Sequence, residues 1–328
     1  MTSSDEQPPA GSPSAPRWKR VAVVLNRESG TIATLGPDTV ADRLRQALAE
    51  KGAEAEIECV PGAEVTAALE RAAASDAEVV WVGGGDGTVA SAATRLAGSE
   101  KPLGVLPLGT FNLAARDLNV PLDLEEAVAA LLQAPAAEVD ALEINGSLYL
   151  CVVVLGFYPA LALARPEYHG SWLVKTGRTA LDVLRGAAQA ARLELELTDE
   201  HGRPTVRRTR MALMVNNDYE DLFGLVPRRQ SLDAGWFTTY ISTHRTRWGM
   251  ARAVLAWVLG RWKQEKELTV FHCRRLRINA ARHHRLPVMM DGELARLPLP
   301  FEIILRPKAL RMLSCRGQDE TEITNAEQ

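Results

Sequence analysis

The sequence predicts an α/β protein in two parts, an N-terminal domain built on a parallel sheet and a β-rich, largely antiparallel second domain. Three observations carry this. Between residues 20 and 106, short apolar runs alternate with segments of helical periodicity. Beyond about Val139, strand-like runs follow one another with few helical crossovers. Two glycine-bearing loops, 83–88 and 106–112, each follow an apolar run, and the carboxyl ends of parallel strands are where such sheets open into a cleft.

In the first part, 21–25 reads as a strand, and Val40, Leu44 and Leu48 put one apolar face on a helix over 40–51 that Gly52 caps. A strand at 55–60, a helix at 65–74, a strand at 78–82, a helix at 88–97 and a strand at 103–106 continue the alternation. In the second part the strands fall at 141–144, 148–154, 193–197, 207–215, 236–241, 268–271, 274–278 and 301–305. Asn145-Gly146 is a strong hairpin turn between the first two of these. Helical insertions are expected near 172–191 and 246–263. The domain limits on this reading are a disordered lead-in at 1–16, a first domain at 17–140, a second at 141–305 and a disordered tail at 317–328.

The chain has 328 residues, 46% hydrophobic and 24% charged, which is enough for two cores of ordinary size. Its longest apolar stretch, 148–164, is short for a membrane span, and Gly156 and Pro159 divide it into strand-length pieces. Residues 1–16 hold Ser, Pro and acidic types with no apolar centre, so no secretory leader is expected and the protein is placed in the cytosol. Cys59, Cys151, Cys273 and Cys315 lack paired spacing, which points to reduced thiols and neither a zinc pattern nor a disulfide framework. Net charge is −3, yet 244–285 carries eleven Lys or Arg, a local charge that suits a nucleotide, a nucleic acid or an anionic membrane.

The chemistry concentrates in the loop Gly83-Gly84-Gly85-Asp86-Gly87-Thr88. Glycines let backbone N–H groups approach a polyphosphate where a Cβ would obstruct. A carboxylate beside that anion is repelled unless a cation compensates, and Mg²⁺ held between Asp86 and a nucleotide is the natural compensation. The bland reading is a tight strand-to-helix turn. Two further loops share the same sheet edge, Asn26-Arg27-Glu28-Ser29-Gly30 and the stretch containing Gly109, Thr110 and Asn112. No Gly-Lys-Ser/Thr follows the first glycine cluster, so this is no Walker A loop, and it is not a dinucleotide fingerprint.

Gly83-Gly84-Gly85-Asp86-Gly87-Thr88, then Pro107-Leu108-Gly109-Thr110 with Asn112, Ala115 and Arg116, and 118–121 resemble the catalytic domain of the diacylglycerol kinase family, which includes bacterial lipid kinases and sphingosine kinases. The resemblance runs from about residue 20 to 313 and implies an ATP-binding domain, a β-rich acceptor domain, ATP with Mg²⁺ in the cleft between them, and a final segment at 306–316 returning to the first domain. It implies nucleotide contacts at Asn26, Ser29, Gly30, Gly84, Gly85, Asp86, Gly87, Thr88, Gly109, Thr110 and Asn112. Asp291-Gly292-Glu293 is similar to the family element that carries the general base, with Asp291 favoured and Glu293 the alternate; its bland reading is a turn.

Three stretches depart from the family pattern. Arg27 stands where the first loop usually has proline, and Val89-Ala90-Ser91 follows Thr88 where relatives often carry an Asn-Glu pair at the last two positions. Ala234 replaces the aspartate before Gly235 in an element where many bacterial relatives bind a structural Mg²⁺, leaving Asp233 as its candidate ligand. A helix over 247–263 carries Trp248, Trp262 and basic residues, which suits either packing on its own sheet or peripheral contact at the inner membrane face. The resulting expectation is ATP-dependent phosphorylation of a lipid hydroxyl. A kinase of a soluble acceptor, resembling NAD kinases, and a weakly catalytic nucleotide or lipid sensor are the alternatives; nucleic-acid binding lacks an aromatic–basic module.

Overall fold

The computed structural model describes residues 15–156, 159, 191–219, 229–242, 268–281 and 283–317. The first part runs β1 (Arg20–Asn26), α1 (Gly30–Leu35), α2 (Pro37–Glu50), β2 (Glu54–Val60), α3 (Val65–Ala74), β3 (Val79–Gly83), α4 (Asp86–Leu96), β4 (Leu103–Leu106), α5 (Leu113–Asp117) and α6 (Leu124–Gln133). All four strands pair in parallel, in the order β4-β3-β1-β2. Helices cover both faces of such a sheet, so β3 is buried along its whole length and reads as an unbroken apolar run. Trp81 is fully buried there, and its indole lies over Gly104 of β4, where a Cβ would overlap it. Each of the large side chains in this core contributes roughly 1.5–3 kcal/mol by leaving water.

The predicted helix over 40–51 is the body of α2, and Gly52 with φ +75° takes the left-handed position just past its end, its N–H donating to the Ala49 carbonyl. The short helices α1 and α5 and the helix α6 were not among the expected elements. Asp123 caps α6, its carboxylate accepting from the N–H groups of Glu125 and Glu126.

The second part comprises β5 (Ala136–Ile144), β6 (Ser147–Tyr149), β7 (Val152–Gly156), β8 (Leu193–Asp199), β9 (Pro204–Thr209), β10 (Met211–Asn216), β11 (Phe237–Ser242), β12 (Leu268–Ala280), β13 (Arg285–Met290), β14 (Glu293–Pro298) and β15 (Phe301–Leu313). Its strands pair antiparallel in the order β14-β13-β7-β10-β11-β12-β15. The expected Asn145-Gly146 hairpin joins β5 to β6, both turn residues having positive φ. A second core forms around Phe237, Leu276, Ile278 and Ile303. The fold is therefore α/β, with parallel strands first and antiparallel strands after.

β15 makes this one continuous sheet. Its first half pairs with β12, and Met312 near its end pairs in parallel with Leu103 of β4. β5 runs antiparallel beside it, with a register shift between Arg306 and Leu310 where Lys308 has φ +49°.

Several strand boundaries differ from expectation. The run 148–154 is two strands, because the backbone at Leu150 and Cys151 leaves the ladder to donate its N–H groups to the Asp291 carboxylate. The run 207–215 breaks at Arg210, where β9 stays at the edge with β8 and β10 enters the centre beside β7 and β11. Segments 268–271 and 274–278 join into β12 across a bulge at Cys273. The β13–β14 hairpin was not expected as strands. The helical insertions expected near 172–191, apart from residue 191 itself, and 246–263, together with residues 1–14 and the tail beyond 317, lie outside the described residues.

Candidate active site

Three loops meet at the carboxyl edge of the parallel strands. After β1, Asn26 orders the turn: its Oδ1 accepts from the Glu28 N–H at 3.0 Å, and its Nδ2 donates to Thr88 Oγ at 3.1 Å. Gly62 N–H donates to Glu28 Oε2 at 3.1 Å, and Arg27 N–H to the Val60 carbonyl at 2.9 Å. Two side-chain acceptors, Asn26 Oδ1 and Glu28 Oε2, thus hold this loop, and Arg27 remains exposed. Ser29, at the start of α1, is buried and its hydroxyl has no protein partner.

The glycine cluster sits between β3 and α4. Added side chains would collide at Gly84 with Thr88, while a Cβ on Gly85 would point into open space. Across from it, Gly109 approaches so closely that a Cβ would lie 2.8 Å from the Gly84 carbonyl oxygen and 3.2 Å from Gly85 Cα. Asn112, at φ +52°, closes that second loop by accepting the Gly109 N–H on Oδ1 at 2.7 Å. Thr110 is exposed beside Gly30. The floor so formed is bare backbone with an unsatisfied hydroxyl at its rim, which fits the phosphate chain of a nucleotide. Gly109→Ala is expected to force the two loops apart and raise the ATP concentration for half-saturation at least about tenfold, with little change in thermal midpoint; titration of a fluorescent ATP analogue checks this.

Ala90 is buried on α4, and Ser91 donates its hydroxyl proton back to the Gly87 carbonyl at 3.0 Å, so the departures after Thr88 are absorbed within the helix itself.

Asp86 opens α4. Its Oδ1 accepts the Leu113 N–H at 3.1 Å, and its other oxygen faces the turn at Gly292. Burial, followed by the nearby charges of Asp291 and Glu293 and partly offset by that hydrogen bond, pushes its carboxyl up to about 6. A raised folded-state value stabilises the fold below the ordinary carboxyl range, and that contribution is lost as pH rises through about 6. Asp86→Asn is therefore expected to stabilise the ligand-free protein at pH 7.5, by up to about 3 kcal/mol, and to have little effect near pH 4. Urea titrations at the two pH values test it. A cation brought with a nucleotide would remove the same penalty, and a single carboxylate with phosphate oxygens is an ordinary Mg²⁺ environment, one that supplies charge neutralisation at the transferred group.

Asp291 and Glu293 are separated by the structure into different environments. Asp291 and Gly292, at φ +46° and +88°, form the two-residue turn between β13 and β14. Asp291 is buried, and its carboxylate is occupied: Oδ2 accepts from Leu150 N–H at 2.7 Å, and Oδ1 from Cys151 N–H at 2.9 Å and Val152 N–H at 2.7 Å. Burial raises its carboxyl, and the three N–H groups oppose that rise. Glu293 is exposed, and its carboxylate lies directly on Gly87 in the first turn of α4, where no side chain would fit. The two carboxylates thus differ in their surroundings, both Asp291 oxygens accepting backbone N–H groups while the Glu293 carboxylate lies against α4.

A buried polar network, not anticipated from the sequence, backs this turn. Leu150 gives its N–H to Asp291, and its carbonyl accepts from Arg229 Nη1 at 3.1 Å and Asn216 Nδ2 at 3.0 Å. Arg229 Nε lies 3.4 Å from Asp117 Oδ2, and Tyr219 donates its hydroxyl to the same oxygen at 2.8 Å. The signal available in the sequence was polar residues inside apolar runs, such as Asn216-Asn217 after β10 and Asp140 within β5.

Asp233 does not fit its expected metal role. It is exposed and accepts the Ser231 hydroxyl at 3.0 Å, while the neighbouring carboxylate of Asp140 is fully buried and saturated by N–H donors: Asn217 Nδ2 at 2.9 Å, Gly235 N at 2.8 Å and Lys308 N at 2.8 Å. Lys308 Nζ pairs with Glu138. Three N–H donors thus occupy the Asp140 carboxylate, and no group of three or more His, Cys, Asp or Glu among the described residues is arranged to hold a metal. Among the same residues, no helix is long and apolar enough to cross a membrane.

Two glycine loops on a parallel sheet thus face an acidic hairpin from the antiparallel strands. Residues 20–144 match the model of the diacylglycerol kinase catalytic domain. Over 92 residues the chain is 38% identical to a probable lipid kinase, YegS-like, of Yersinia pestis (strain Pestoides F) and equally to one of Yersinia pseudotuberculosis (strain IP 31758). That stretch is 27% of this chain and 31% of the relatives, so the match spans about a third of their length. The crystal structure of a putative diacylglycerol kinase from Bacillus anthracis str. Sterne has the same fold, with a TM-score of 0.67 at 20% identity over 91% of this chain and 98% of that one. Another putative diacylglycerol kinase structure from that strain gives 0.64 at 17% identity over the same shares.

Proposed function

We propose that this protein is an ATP-dependent lipid kinase that transfers the γ-phosphate to a lipid hydroxyl. The observation that carries this is the Glu293 carboxylate, held by the second domain on the first turn of α4, at the end of the phosphate floor and beside Asp86. The backbone at Ser29, Gly30, Gly84, Gly85, Gly87, Gly109 and Thr110 binds the nucleotide phosphates, with Asn26, Thr88 and Asn112 bracing the loops. Asp86 carries the Mg²⁺ that accompanies ATP. Glu293 takes the acceptor proton as the new P–O bond forms, and Asp291 positions it by locking the turn to 150–152.

The lipid class is supported by the match of residues 20–144 to the diacylglycerol kinase catalytic domain model and by the relatives' description as probable lipid kinases. Such an acceptor is held in a bilayer, so the enzyme works from the cytoplasmic side in peripheral contact with the inner membrane face. The test is transfer of labelled γ-phosphate from ATP and Mg²⁺ to diacylglycerol, monoacylglycerol and sphingoid bases in mixed micelles, with NAD and sugars as soluble controls. A labelled lipid is the expected result. Label in a soluble acceptor alone, or ATP binding without any transfer, would replace this reading with one of its two alternatives.

A further inference from the structure

Phe111 is 57% exposed, yet it stands at the centre of the site. Its ring covers the turn at Gly292, where a Cβ would lie 3.2 Å from Phe111 Cδ2 and 3.9 Å from Asp86 Oδ2. Single exposed aromatics are common on protein surfaces and usually carry no meaning. This one differs in its support. Its carbonyl accepts from Arg116 Nε at 3.2 Å, and the loop around it is closed by the Gly109–Asn112 hydrogen bond, with Asn112 in the left-handed region. An apolar ring is thus held on a braced backbone between two domains, next to the carboxylates of Asp86 and Glu293, where it serves no core.

We infer that Phe111 is a specificity-determining residue that forms the apolar wall of the acceptor site, against which the carbons next to the reacting hydroxyl lie. This rests on the kinase reading above. An acceptor whose hydroxyl reaches Glu293 must bring its neighbouring carbons past the Gly292 turn, and the ring is what they meet there. The adenine of ATP is the other planar candidate, but ribose and two phosphates separate it from the transferred phosphoryl group, whereas Phe111 touches the turn that carries the base. A wall of this kind favours a hydroxyl on an apolar body over one flanked by further hydroxyls or charges, since those would lose water without gaining a partner.

The experiment is steady-state kinetics of wild type, Phe111→Ala and Phe111→Leu, with long-chain diacylglycerol in mixed micelles and with a short-chain, monomeric diacylglycerol. Phe111→Ala is expected to raise KM about tenfold for both acceptors. Its KM for ATP should stay within about twofold and its Tm should be unchanged, as suits an exposed side chain. Phe111→Leu should recover most of the loss. A raised KM for ATP would assign the ring to adenine, a loss confined to micelles would make it an interfacial anchor, and no change would leave it without a role; each overturns the inference. If wild type transfers phosphate to no lipid, the kinase reading itself falls and the inference with it.

Discussion

Glu293→Gln is expected to lower the transfer rate by about 10²–10⁴-fold while leaving ATP binding and thermal midpoint near those of wild type, because a positioned base accounts for a factor of that size. The side chain is exposed and Gln keeps its shape, so little stability is at stake. Only the capacity to take a proton disappears. Single-turnover transfer, with ATP affinity measured separately, separates chemistry from binding. Retained activity in this variant would return the role of base to Asp291.

Asp291→Ala is expected to cost about 2–6 kcal/mol of folding stability, since it leaves the buried N–H groups of Leu150 and Cys151 without an acceptor at about 1–3 kcal/mol each, and the half-buried Val152 N–H with them. It also puts alanine at φ +46°, a region Asp and Asn tolerate better. Against a typical total of about 5–15 kcal/mol, such a loss leaves the variant partly unfolded at room temperature. Asp291→Asn retains one acceptor oxygen and should fall between. Urea midpoints measure both, and amide exchange at 150–152 should accelerate more than elsewhere if the clamp is what was lost. An Asp291→Asn protein of wild-type stability but no transfer activity would contradict the division of labour between the two carboxylates.

The expected elements of the first domain were legible because each one states its own geometry. Period-two and period-3.6 apolar patterns, Gly52 past the end of α2 and the glycine cluster after β3 are local signals, and the helices and strands they imply form wherever a matching face exists to bury them. The second domain was less legible at its boundaries. The break at Leu150 and Cys151 has no cause within 148–154; it comes from a carboxylate about 140 residues away that outcompetes the sheet ladder for three N–H groups. The β13–β14 hairpin did carry a signal, Asp291-Gly292 between alternating apolar residues, but the same dipeptide was read for its chemistry.

The Asp291-Gly292-Glu293 element shows the limit most clearly. Both carboxylates stood in the sequence as candidates, Asp291 favoured and Glu293 the alternate, and no spacing separates them. Asp233 likewise kept a claim as a metal ligand until Asp140 and Lys308 were seen to supply the ties around it. By itself the sequence determined the fold class, the two glycine loops and the residue types gathered for phosphate chemistry, because these follow from local patterning and from what a polyphosphate requires of a backbone. Only the tertiary structure showed that Asp291 is spent on backbone N–H groups, that Glu293 lies against α4 and that Phe111 covers the Gly292 turn, because burial and hydrogen-bond partners come from distant parts of the chain.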